Sequence, residues 1–94
     1  MLVDELRKIT QDALKPLPEE VEEIFQVIVE FLRLQAQEGE FSADVGEIMV
    51  EDSPSRPASF LTAVKRLERE GLEVTVRERY RAGFLEATIC WSEA

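Results

Sequence analysis

The chain predicts an α+β fold of two layers: two N-terminal helices, then strand, helix, strand, strand, with the helices on one face of a three-stranded antiparallel sheet ordered 1-3-2. Three observations carry this reading. Apolar residues recur at three- and four-residue steps up to Gly39 and again up to Gly71, which marks helices ended by glycine. Leu72, Val74 and Val76, then Leu85, Ala87, Ile89 and Trp91, alternate with polar residues, which marks a hairpin with one buried face. Glu73, Thr75, Arg77, Arg79, Glu86, Thr88 and Cys90 make the other face polar, so helices cover one side only.

The 94 residues suffice for one domain with a single core, 1–39 forming the helical part and 40–94 the strand-helix-hairpin part. Leu2, Leu6, Ile9 and Ala13 line one stripe of a first helix over 2–14, which Pro16 and Pro18 end. The second helix starts at Pro18, with Glu19, Glu20, Glu22 and Glu23 at its positive end, and runs to Glu38. From Val21 to Ala36 its apolar residues span an arc of about 220° at 100° per residue. A surface helix needs much less, so the first helix or a second copy of the chain must cover it.

Residues 40–50 read as one strand kinked at Gly46: Phe41, Ala43 and Val45 alternate, the phase slips at Gly46, which marks a bulge or a local bend, and Ile48 and Val50 resume beyond it. Residues 51–57 are a loop, with Ser55 or Ser59 as the cap of a third helix over 58–70. Hairpin parity demands an even loop. A four-residue loop at 80–83 sets Arg77 opposite Glu86, Val76 opposite Ala87 and Val74 opposite Ile89. The charged second strand suits an edge and the third the centre.

Composition narrows function mainly by exclusion. No histidine is present, which removes the commonest general base and any Ser-His-Asp set. Cys90 is the single cysteine, flanked by Ile89 and Trp91, and reads as structural. A calcium loop built on Gly46 would place Phe41, Ala43 and Val45 at ligand positions, so it fails. No catalytic residue, cofactor or metal ligand is expected. No apolar run could span a bilayer, and the acidic start Asp4-Glu5 does not suit a signal peptide, so the expectation is a cytoplasmic protein.

Charge is uneven: residues 1–57 carry 14 acids and 5 bases, whereas 58–94 carry 6 of each. The resulting net charge of −9 opposes nucleic acid and anionic membranes and favours a basic partner. The candidate partner-binding residues are Val27 and Leu34 on one flank of the second helix, Val29 on the other, and the acids Glu22, Glu23 and Glu30. A lesser candidate is an open-face patch of Arg77, Arg79 and Phe84, of the kind that stacks single-stranded nucleic acid. Glu73 and Glu86 interleave with it, so cross-strand ion pairing is the preferred reading.

Three segments resemble small phage- and prophage-encoded α/β proteins. They are Ala36-Gln37-Glu38-Gly39-Glu40-Phe41-Ser42, Leu67-Glu68-Arg69-Glu70-Gly71-Leu72-Glu73-Val74 and the closing Ala87-Thr88-Ile89-Cys90-Trp91. The resemblance implies a viral accessory or virion-associated role and carries over no functional residue. The expected function is therefore a small, acidic, non-enzymatic protein that binds another protein. A subunit assembling with itself through the second helix is the alternative, and nucleic-acid binding on the open sheet face is a third.

Overall fold

The computed structural model describes residues 1–79 and 84–92. Its elements are α1 (Leu2–Leu14), α2 (Pro18–Gln37), β1 (Ser42–Gly46), a 3-10 turn (Glu47–Met49), α3 (Arg56–Arg69), β2 (Glu73–Arg79) and β3 (Phe84–Cys90). The sheet is antiparallel in the order β1-β3-β2, with β3 central, as the sequence predicts.

Glycine ends both long helices by the same device. Gly39 (φ 87°) and Gly71 (φ 98°) adopt the left-handed conformation that a side chain disfavours. The Gly71 N–H donates to the Glu68 carbonyl at 3.1 Å and the Leu72 N–H to Leu67 at 3.3 Å; Gly39 to Ala36 and Glu40 to Gln35, both at 3.0 Å, repeat the pattern. These paired bonds satisfy the last helical carbonyls and turn the chain back into strands.

The hairpin register places Val74 opposite Ile89, Val76 opposite Ala87 and Arg77 opposite Glu86. Pairing runs to Arg79 opposite Phe84, which leaves residues 80–83 between the strands. The conformation expected for that loop lies outside the described residues. On the other side of β3, Ala43 faces Ile89 and Val45 faces Ala87, and the Trp91 N–H extends the ladder to the Phe41 carbonyl at 2.9 Å.

Ile24, Ile28 and Leu32 of α2 meet Phe60, Ala63, Val64 and Leu67 of α3, and both rows rest on Val45, Ala87 and Ile89 of the sheet. This is the whole buried apolar core of the described residues. Val76 has the core-face parity, but no helix covers its corner of the edge strand, and it stays 42% exposed.

Two expectations need correction. The strand does not continue through Gly46, which sits in regular extended backbone (φ −139°, ψ 156°) opposite Glu86 with no bulge. The chain then turns 3-10, which carries the Glu47 carboxylate inside, 3% exposed and 3.6 Å from Arg56. Ile48 and Met49 are left facing outward. The second concerns the two covers considered for α2, of which the structure lacks the first. No residue of α1 is buried, and Leu2, Leu6 and Ile9 remain 66%, 53% and 57% exposed. The first helix does not fold over the second.

Phe60, fully buried between α3 and the sheet, sets the stability of this small core. Phe60→Ala is expected to cost about 3–5 kcal/mol in urea unfolding. Val76→Ala is expected to cost about 1 kcal/mol or less by the same measurement, because the site is already half open.

Candidate protein-binding surface

A polar knot fixes the segment between the 3-10 turn and α3. Ser55 begins α3 but makes no side-chain cap; its hydroxyl donates instead to Glu20 Oε1 of α2 at 2.7 Å. Ser53 donates to Glu20 Oε2. Ser59, the other expected cap, is fully buried and accepts the Leu17 N–H at 3.2 Å. Arg56 Nη2 stands 3.6 Å from both Glu47 and Asp52. Glu47 Oε2 and Arg56 Nε are buried without hydrogen-bond partners among the described residues. The Glu47–Arg56 pair therefore costs desolvation that its loose geometry only partly offsets. Its evident effect is to hold the 3-10 turn against the start of α3.

Burial opposes ionisation of Glu20, but the hydroxyls of Ser53, Ser55 and Ser59, helped by the Arg56 charge, outweigh it and hold this carboxyl below its ordinary value of 4.5. Glu22, two residues on and on the opposite side of the helix, is lowered by its bonds to the Arg66 guanidinium and to Gln26.

The knot sets the 3-10 turn beside one flank of α2, and an apolar shelf results. Val27, Phe31 and Leu34 form a row on α2, and Ile48 and Met49 stand next to Val27 and Phe31. Val27, Leu34, Ile48 and Met49 are 39%, 55%, 60% and 36% exposed. At the Val27 end a cavity of about 320 Å³ opens, floored by Ile24, Val27, Met49 and Val50 and walled by Glu20, Glu23, Glu51 and Asp52. Such a cavity suits a basic side chain, its stem on the apolar floor and its charge among the carboxylates.

The sequence-derived candidates divide between two flanks. Val27, Leu34 and Glu23 come together on the shelf. Val29 lies on the opposite flank, lining a groove of about 460 Å³ with Phe25, Leu67, Leu72 and Trp91. Glu22 is committed to Arg66, whose guanidinium stacks 3.9 Å from the Phe25 ring centre. Glu30 pairs loosely with Arg33 at 3.7 Å, on the solvent side of α2. On the open sheet face Arg77 donates to Asp44 Oδ1 at 3.3 Å, which Thr88 also reaches at 2.7 Å. Phe84 is half-buried at the end of β3, and the Arg79 side chain lies outside what the structure describes.

Ile48, Met49, Glu51 and Asp52 were not singled out by the sequence. The phase slip at Gly46, with Ile48 and Val50 out of register before the acidic pair, marks this segment, but it does not point to Met49, which keeps the phase of Val45. Among the described residues no group of three or more Cys, Asp or Glu side chains converges to hold a metal ion, and no helix is long and apolar enough to cross a membrane. No family model, curated protein or solved structure matches the chain.

The knot makes stability depend on acid in a definite direction. Glu20 and Glu22 have folded-state values below the ordinary 4.5, so their contribution is complete above that value and is lost as pH falls through the lowered one. The thermal midpoint is expected to hold steady near neutrality and to fall below about pH 4.5. Glu20→Gln is expected to lower the neutral midpoint and to make the acid limb shallower.

Proposed function

We propose that the chain is a non-enzymatic, protein-binding accessory protein, of the phage-encoded kind its sequence resembles, and that the shelf is its binding surface. The observation that carries this reading is the junction of an exposed apolar row, Val27 to Leu34, with a cavity walled by four carboxylates. Large apolar side chains rimmed by polar groups mark interaction sites more often than idle surface. The chemistry fits a partner helix with an apolar face and a flanking Arg or Lys that enters the cavity. The acidic balance of residues 1–57 would speed encounter with such a segment.

Nucleic-acid binding on the open sheet face has less support. Arg77 is already paired with Asp44, and Asp44, Glu73 and Glu86 line that face together with it. The alternative, self-assembly through the second helix, is supported by surfaces apart from the shelf, the Val29 flank of α2 and the uncovered α1.

The test is affinity capture from cells of the natural source, followed by mapping of the captured protein onto the shelf by NMR. Val27→Asp/Leu34→Asp is expected to weaken that complex by tenfold or more, as loss of a central apolar anchor does. Raising the salt concentration should slow association more than it speeds dissociation. Equal capture by the double variant would remove the shelf as the site.

A further inference from the structure

α1 has 13 residues and none is buried, yet a helix of about 12–15 residues is marginal in water without tertiary support. Its apolar stripe of Leu2, Leu6, Ile9 and Ala13 is extended on one side by Val3 and Leu14, and Leu14 is 51% exposed. Lys15 (φ −69°, ψ 147°) and Leu17 (φ −99°, ψ 126°) each precede a proline, which confines both to extended backbone, so α1 does not run on into α2, and the structure leaves its stripe unburied. The molecule is correspondingly long, 56 × 28 × 23 Å.

The same chain carries a matching vacancy. The groove between α2 and α3, on the flank of α2 opposite the shelf, is lined by Phe25, Val29, Leu32, Leu67, Leu72 and Trp91. From Phe25 to Ala36 its α2 wall runs about 16 Å, the length of the stripe from Leu2 to Ala13 at 1.5 Å per residue. The rims also match. At 100° per residue, Glu5 and Asp12 border one side of the α1 stripe and Arg7 the other. Arg33, 70% exposed and only loosely paired with Glu30, stands on the α2 wall of the groove; Glu70 stands on its α3 wall beside Arg66, whose charge Glu22 already meets, while Asp12 pairs with Lys15 on α1 itself.

We propose that α1 is an exchange arm: in a two-fold dimer, the α1 of each copy lies in the α2–α3 groove of the other. Arg33 then lies along the edge of the stripe that carries Glu5 and Asp12, about 10 Å apart, Glu70 lies along the Arg7 edge, and the stripe covers Trp91. Two exchanged arms bury on the order of 1,600 Å², the size of a stable interface, whereas α1 pairing only with α1 would bury about half of that. Reciprocal contact closes the assembly at two copies. The shelf lies on the other flank of α2 and stays open.

Sedimentation equilibrium from micromolar to submillimolar concentration tests the assembly, and emission of Trp91, the single tryptophan, tests the groove. The expected result is a transition from 10.8 kDa to twice that mass, with emission shifting to the blue in step. Leu6→Asp/Ile9→Asp should remain at 10.8 kDa with its fold intact, since neither position is buried. Arg33→Glu should weaken the dimer by about tenfold, and adding Glu5→Arg and Asp12→Arg should restore it. A wild-type chain that stays monomeric, or a double variant that dimerises like wild type, would overturn the exchange. Dimerisation with no change in Trp91 emission, or failure of the charge reversal to restore it, would overturn the groove assignment.

Discussion

The constraint on which the rest of the structure depends is the apolar width of α2. Ile24, Ile28 and Leu32 are buried between α3 and the sheet, which uses the middle of an apolar arc of about 220°. A three-stranded sheet and one 14-residue helix are too small to cover the remainder. Surplus therefore appears on both flanks: Val27 beside the 3-10 turn with Leu34 further along the same side, and Val29 and Ala36 beside α3. In a domain of this size such surplus lowers solubility unless something covers it. The two flanks differ in charge, with carboxylates around one and Arg33 and Arg66 beside the other. They are accordingly suited to different occupants.

The polar knot at Glu20 converts this surplus into a defined surface. Hydroxyls of Ser53 and Ser55 hold the loop to α2, and the Arg56–Glu47 contact holds the 3-10 turn to α3. Without that arrangement Ile48 and Met49 would have no fixed position beside Val27. Carboxylates that accept several hydrogen bonds are favoured in the charged state, so the knot is firmest at neutral pH and loosens in acid. A link from side-chain protonation to the shape of the shelf follows from the same contacts.

Much of the architecture was legible in the sequence because it rests on local grammar. Gly39 and Gly71 announce the helix ends, and alternation in two runs, Leu72 to Val76 and Leu85 to Trp91, with the parity of the loop between them, sets the hairpin register and its buried face. What was not legible depends on partners distant in the chain. Ser55 and Ser59 look like caps, but Glu20 and the Leu17 amide compete for their hydroxyls. Residues 47–50 look like a resumed strand, but the chain turns 3-10 there, with Glu47 drawn inside to Arg56 and Ile48 and Met49 left outside. Of the binding surface, the Val27–Leu34 row could be read from helical geometry, whereas its Ile48–Met49 half could not. That the α1 stripe is left unburied by its own chain was likewise not legible in the stripe itself.

The central claim is that the uncovered apolar faces are made to be covered by protein. Hydrogen–deuterium exchange along α1, followed as concentration rises, addresses it most directly. The account predicts weak protection of the α1 amides in dilute solution and protection that grows with concentration over residues 6–14. Protection that is already complete in dilute solution, or absent at every concentration, would contradict it.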